Sequence, residues 1–177
     1  MNDREALARQ IAGLLRDVPD FPKPGILFKD ISPLLADAAA FAAVSHRLAA
    51  SAGNGVDLVA GVEARGFIFA GALAVELGCG VVPVRKAGKL PPPTLRKRYD
   101  LEYGNAEIEV PLGVLDGTRV LLVDDVLATG GTLHAAAQLL TDAGAEVVAM
   151  AVIVELTALG GRAACSELAA LDALLQV

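Results

Sequence analysis

VLLVDDVLATGGT, Val120 to Thr132, decides how this chain folds. An apolar run leads into two adjacent carboxylates, Asp124 and Asp125, and then into a turn built from glycine and small hydroxyl residues. From Leu133 to Ala143 the spacing and composition are helical, so the order is buried strand, acidic strand end, anion-sized loop, helix N-terminus. Backbone N–H groups of Ala128, Thr129, Gly130, Gly131 and Thr132 can converge on a phosphate there. The hydroxyls of Thr129 and Thr132 add donors, and the helix dipole favours the negative charge. Asp124 and Asp125 lie close enough along the chain to accept from the vicinal hydroxyls of a ribose or to hold a cation. The segment is therefore read as a sugar phosphate site.

It is not a nucleotide P-loop. The only Gly-Lys pair, Gly88-Lys89, has Pro83 where the first glycine of that motif belongs and Leu90 where Ser or Thr should follow.

Outward from this segment the chain alternates strand and helix. Asp3 to Arg16 carries an apolar stripe of helical period and is followed by a Pro-rich turn, FPKPG. Ala38 to Ala52 reads as a helix, Leu58 to Val62 as a buried strand, Phe67 to Leu77 as a helix closed by Gly78, and Gly80 to Val84 as the next strand. Val120 to Asp124 continues the series, Leu133 to Ala143 is a helix ended by Gly144, and Glu146 to Val154 is a β-branched strand. Such alternation predicts an α/β fold: a mostly parallel twisted sheet flanked by helices.

Composition agrees and excludes several classes. With 177 residues, 54% of them hydrophobic, the chain can bury one sizeable core, and a single domain over 1–177 is expected. Its apolar runs, such as Phe67 to Val75, are far shorter than the ~18 residues of a membrane span, so no membrane partner is expected. MNDREALARQ resembles neither a secretory signal nor a transit peptide, which points to the cytoplasm. Cys79 and Cys165 lack metal-ligand or disulfide spacing and are read as ordinary buried thiols. A formal net charge of −6 argues against bulk nucleic-acid binding.

The basic residues are nevertheless concentrated: Arg85, Lys86, Lys89, Arg96, Lys97 and Arg98 fall in one short stretch, which implies a local anion site. The triple proline at Pro91 to Pro93 and the alternating YDLEYGNAEIEV that follows make Ala87 to Glu109 a lid, read as a mobile β-ribbon. Within it Glu107 and Glu109 read as exposed members of an acidic alternation. Ligands of parallel sheets bind beyond the carboxyl ends of the strands, so the loops after each strand belong together. GVEARGF puts Arg65 at a turn into a helix, where a cation is unfavourable unless an anion accompanies it. Two cationic loops and one N–H-lined loop at one edge suit a ligand with pyrophosphate at one end and monophosphate at the other.

The VDDVLATGGT segment resembles the fingerprint of the type I phosphoribosyltransferases. FPKPGILFKDISPLL, VEARGF, RKAGKLPPPT, YDLEYG and VELTALGGR follow the order found in the adenine phosphoribosyltransferases of that group, over nearly the whole chain. The resemblance implies the type I phosphoribosyltransferase fold, with residues 1–35 as a hood that forms the base pocket and 87–109 as a flexible catalytic lid. It implies transfer of phosphoribose from 5-phosphoribosyl 1-pyrophosphate (PRPP) to adenine, giving AMP and diphosphate in purine salvage. Mg²⁺, bound mainly through PRPP rather than by direct protein ligands, and a homodimer are implied as well.

Residue roles follow from the same likeness. Asp124 and Asp125 match the pair at the ribose hydroxyls, and Ala128 to Thr132 match the 5′-phosphate loop. Glu63, Ala64 and Arg65 fall on the pyrophosphate loop, where a non-proline cis peptide is expected. Lys86 and Lys89 match basic residues near the pyrophosphate, and Arg85 matches a position able to reach a neighbouring subunit. Ile26, Leu27, Phe28, Lys29 and Leu156 correspond to the adenine pocket, with Phe28 stacking on the ring and main-chain groups around Leu27 and Lys29 reading its edge. Glu102 is the candidate for managing the purine N7 proton; Leu90 and Tyr103 belong to the lid. Neither His46 nor His134 has a partner suited to nucleophilic catalysis. Two alternatives stand beside the adenine reading: a phosphoribosyltransferase for xanthine or guanine, and a PRPP-sensing regulator. The short segment before Pro24 leaves no room for a DNA-reading winged helix.

Overall fold

The structure, a computed structural model, describes residues 3–101 and 104–177. Helix α1 (Asp3–Leu14) precedes a small antiparallel pair, β1 (Arg16–Pro19) and β2 (Leu27–Asp30). Short helix α2 (Ser32–Ala36) and α3 (Ala38–Ser51) follow, the latter capped by the Asp37 carboxylate, which accepts from the Ala40 N–H at 2.9 Å. Next come β3 (Leu58–Val62), α4 (Gly66–Leu77) and β4 (Gly80–Lys86). An antiparallel ribbon, β5 (Thr94–Leu101) and β6 (Gly104–Pro111), leads to β7 (Arg119–Leu127), α5 (Gly131–Asp142), β8 (Glu146–Glu155), α6 (Gly161–Cys165) and β9 (Ala170–Gln176).

The main sheet has seven strands in the order β5-β6-β4-β3-β7-β8-β9. Pairings from β4 through β9 are parallel, while β6 is antiparallel to both β4 and β5. Alternation along the central strands serves two cores. Val59, Leu121, Val123, Ala151 and Ile153 pack toward Ile11, Leu48, Phe69 and Leu73 of α1, α3 and α4. Their neighbours Ala60, Val62, Leu122, Met150 and Val152 pack toward Leu133, Leu139, Leu140 and Cys165 of α5 and α6. Helices thus cover both faces, as a parallel sheet requires.

Boundaries shift in informative ways. The strand read as Val120 to Asp124 runs from Arg119 to Leu127, so Asp125 is a strand residue as well. The hairpin of β1 and β2 was not foreseen, because four-residue strands bearing charges and a proline give little periodic signal. Within the region read as a lid, β5 and β6 pair as an antiparallel ribbon, and that ribbon is hydrogen-bonded onto the main sheet through Arg85↔Glu109 and Lys86↔Ile108. Cys165 is buried as expected, whereas Cys79 is only partly so.

Candidate active site

Strand order creates the crevice. From β3 the chain steps through α4 to β4 on one side, and on the other side β7 leads through α5 to β8. The loops leaving β3 and β7 therefore diverge from adjacent strands, the switch point where ligands of open α/β sheets bind. Glu63, Ala64 and Arg65 form the β3 loop, and the Glu63–Ala64 peptide is cis, as the resemblance implied. Asp124 to Thr132 form the β7 side.

The two sides touch. Arg65 Nε lies 2.7 Å from Asp125 Oδ2, the latter side chain only 6% exposed. The pair lacks hydrogen-bond alignment, and Asp125 Oδ2 is left as a buried oxygen without a hydrogen bond. The anion that a cation at the start of α4 calls for is thus Asp125 of the neighbouring strand. Gly66 permits this approach: a Cβ there would stand 2.9 Å from the Val123 carbonyl oxygen. Asp124 keeps part of its surface exposed but is closely surrounded. Burial, reinforced by the negative charge of Asp125, raises its carboxyl well above the usual range, against the pull of Arg65.

Beyond the acids, Gly130 adopts φ 85° at the start of α5, a conformation costly for residues with a side chain. The first N–H groups of α5 have no partner within the helix and point along its axis, as an anion cradle requires. Thr132 Oγ1 lies 3.2 Å from Tyr99 Oη, which ties the ribbon to this loop, and Lys97 Nζ pairs with Asp142 Oδ2 of α5 at 2.8 Å. The loop's other wall is α6. A Cβ on Gly130 would stand 2.5 Å from the Gly161 carbonyl oxygen, so the two glycines are in backbone contact.

Glu63 lies on the β3 loop with its carboxylate turned toward β4. Oε2 accepts from Arg85 Nε at 3.2 Å and from the Lys86 N–H at 3.0 Å. Burial alone would raise its pKa, but the Lys86 N–H and the Arg85 guanidinium outweigh that and lower it. Arg85 also donates to the Lys89 carbonyl at 3.1 Å and lies over the Phe67 ring at 5.9 Å.

On the base side, the Phe28 ring meets Phe21 edge-on at 5.1 Å and carries the Arg65 guanidinium at 4.8 Å. Leu27 is exposed and Ile26 half-buried, while Lys29 Nζ is engaged by Asp17 Oδ1 at 2.7 Å across the β1–β2 pair. The Leu156 N–H donates to the Leu127 carbonyl at 2.9 Å, placing Leu156 directly beside the end of β7. Behind it, Glu155 is held by Arg162 at 3.0 Å and by Gln176 at 2.9 Å, and these bonds, the Arg162 bond foremost, lower its pKa against burial. Sequence reasoning missed this support: VELTALGGR braces the turn at 128–130 through Gly161 as well as placing Leu156 at the end of β7.

Glu109 reverses its reading as an exposed ribbon residue: it is 0% exposed. Glu107 is half-buried and accepts from Arg98 at 3.2 Å. Glu102 and Tyr103 lie outside the described residues. Leu90 stands at the root of the ribbon, its N–H bound to Glu109 at 2.7 Å. His46 pairs with exposed Glu76 at 2.6 Å, and His134 Nδ1 lies 2.7 Å from the Ala164 carbonyl oxygen, both away from the acids.

Comparisons with known proteins agree with this geometry. A family model described as a phosphoribosyl transferase domain matches residues 28–165. The adenine phosphoribosyltransferase of Mycolicibacterium gilvum is 61% identical over 164 residues, covering 92% of this chain and 91% of the relative. The crystal structure of adenine phosphoribosyltransferase from Rhodothermus marinus superposes with a TM-score of 0.93 at 42% identity, covering 98% of this chain and 99% of that one. The Giardia lamblia enzyme complexed with 9-deazaadenine gives 0.91 at 40% identity, covering 96% and 97%. With its switch-point acids, its glycine-lined turn and relatives of this closeness along its whole length, the chain belongs to the adenine phosphoribosyltransferases.

Proposed function

We propose that this chain joins adenine to PRPP, giving AMP and diphosphate in purine salvage, with the β3 and β7 loops as the two ends of one PRPP site. The observation that carries the reading is the contact of Arg65 with Asp125 across the switch point. It brings the pyrophosphate-loop cation and the ribose-side carboxylates to adjacent strand ends.

In this reading Ala128 to Thr132 bind the 5′-phosphate, and Asp124 and Asp125 accept from the ribose hydroxyls. As the C1–oxygen bond to diphosphate breaks, positive character grows on the sugar and negative charge on the leaving group. Asp124 and Asp125 stabilise the former; Arg65, Lys86 and Lys89 stabilise the latter. The purine N9 forms the new bond to C1 while the base gives up one proton, and Glu102, between β5 and β6 in sequence, is the carboxylate we assign to that proton at N7. Phe28 and Leu156 hold the ring, and main-chain groups around Leu27 and Lys29 read its edge. The ribbon 87–109 acts as the lid that excludes water competing for C1.

Magnesium fits this site. Asp124 and Asp125 set two carboxylates side by side at the crevice, and Asp125 Oδ2, though ion-paired with Arg65, has no hydrogen bond, so these two are the residues that would contact a cation carried in on PRPP. Bound there, Mg²⁺ would neutralise charge on the departing diphosphate.

We place the enzyme in the cytoplasm, acting on small molecules without nucleic-acid or membrane partners, as a homodimer. Helix α4, GFIFAGALAVEL, is apolar but for Glu76, yet Ile68 is 46% and Val75 84% exposed beside Phe41 and Ala42 of α3. A helix of that composition is normally covered, and a second copy would cover it. Light scattering should give twice the 18.1 kDa chain mass; a monomer at micromolar concentration would refute the pairing.

The central test mixes protein, Mg²⁺ and PRPP with each free base and follows diphosphate release. Adenine should be turned over. Turnover of guanine or xanthine but not adenine would overturn the assignment, and PRPP binding without turnover of any base would favour a sensor.

A further inference from the structure

The buried carboxylate of Glu109 takes no part in the reaction as described, yet it gathers more donors than any group around the site needs for packing alone. Its Oε1 accepts from the Lys89 and Leu90 N–H groups, each at 2.7 Å. Its Oε2 accepts from Arg96 Nε at 3.0 Å and Thr94 Oγ1 at 3.3 Å. The side chain is sealed from solvent by these donors although it lies near the surface of the fold. The Leu90, Gly88 and Lys89 backbone groups and the Arg96 charge overcome desolvation and pull its pKa down to about 2. It is therefore a permanent anion around which the turn 88–90 is wrapped.

That turn is the root of the ribbon, and it continues toward the pyrophosphate loop. The Lys89 carbonyl accepts from Arg85 at 3.1 Å, Arg85 reaches Glu63 at 3.2 Å, and the Glu63 N–H donates to the Val84 carbonyl at 2.9 Å. One unbroken set of hydrogen bonds thus runs from Arg96 on β5, through Glu109, to the residue that precedes the Glu63–Ala64 peptide.

We propose that Glu109 is a positioning residue for the transfer: by holding the Lys89 and Leu90 N–H groups it fixes the turn that sets Lys89 and Arg85 against the pyrophosphate loop. This rests on the adenine phosphoribosyltransferase reading given above. A backbone anchored at both peptide groups fixes the point from which the Lys89 side chain extends, and charge stabilisation of a leaving group depends on such fixed geometry.

The test compares wild type with Glu109→Gln and Arg96→Ala in steady-state assays that vary PRPP and adenine separately. Calorimetric titration with Mg²⁺-PRPP is run in parallel. A carboxamide keeps one acceptor oxygen but turns an NH₂ toward donors, so Glu109→Gln should raise KM for PRPP about tenfold and lower kcat, with KM for adenine within about twofold. Arg96→Ala leaves the carboxylate in place but leaves Oε2 with Thr94 alone; the Arg96 side chain is 50% exposed, so the fold tolerates its loss, and it should give a smaller rise in the same direction. Equal rises in both KM values, or losses that only follow the fraction of folded protein, would overturn the proposal. So would unchanged PRPP constants in both variants. A wild type that binds PRPP and turns over no base would sink the reaction instead, and the titrations would then decide the Glu109 proposal by the Kd of each variant.

Discussion

Replacing Gly161 by alanine should damage PRPP binding from outside the ligand site. The backbone of Gly161 does not need glycine for its torsion, so the effect comes from space alone. An added Cβ would overlap the Ala128 carbonyl oxygen, stand 2.9 Å from the Gly130 nitrogen and 3.0 Å from the Thr129 carbonyl carbon. All three atoms are backbone of the loop proposed to hold the 5′-phosphate, so no side chain can rotate away. Restoring ordinary separations of about 3.5 Å requires the loop or α6 to retreat by roughly 1 Å. Overpacking of this kind costs about 1–3 kcal/mol of stability, and a displacement of 1 Å in a ligand-positioning group can cost on the order of a hundredfold in rate. We expect Gly161→Ala to raise KM for PRPP between about tenfold and a hundredfold, and to lower the midpoint of thermal unfolding. Steady-state kinetics with both substrates varied, beside a thermal melt followed by circular dichroism, measure both. A variant with wild-type stability and a PRPP KM within about twofold would refute the idea that the Gly130–Gly161 contact sets the loop.

Asp124→Asn should cut turnover sharply yet raise the melting temperature of the ligand-free protein at neutral pH. Ionised Asp124 is disfavoured there by burial and by Asp125, while an amide oxygen can still accept from the Asp125 N–H as Oδ1 now does at 2.9 Å. A lowered melting temperature would contradict the assigned cause. Combining Asp124→Asn with Asp125→Asn should abolish turnover while leaving the circular dichroism spectrum intact, and near-normal rates would refute their role at the ribose. Acid unfolding should carry the signature of Glu109. Its folded pKa of about 2 lies below the ordinary 4.5, so its stabilisation is complete above pH 4.5 and is lost as pH falls toward 2. Urea titrations of wild type and Glu109→Gln should therefore converge in that window, and a constant difference across it would refute the attribution.

Much of this was legible because local rules and tertiary demands coincide. Leu58–Val62 was bounded correctly from its apolar run, and Gly78 closes α4 at φ 69° as a helix-ending glycine should. Asp124, Asp125 and the turn after them could be read because a strand end and a helix start meet there within a few residues. What escaped depends on distant partners. Whether Glu109 is buried turns on its register opposite Arg85 and on a loop folding back over it, and nothing in the Glu107/Glu109 alternation separates the two. Arg65 announced the need for an anion, but that Asp125 supplies it follows only from the adjacency of β3 and β7. The role of Gly161 was hidden for the same reason: what crowds it is a carbonyl more than thirty residues earlier.

The pairing of β3 with β7 also governs when the protein can begin to work. Leu58 registers with Val120, and Asp57 accepts from the Arg119 N–H across 62 residues of chain. Closing so long a loop is entropically costly and comes before any contact within it is rewarded. Neither half of the crevice exists until that closure, because each loop is aimed by the strand beside it. A nascent or refolding chain therefore holds no partial version of the site, and catalytic activity reports the completion of the central sheet as directly as any spectroscopic probe.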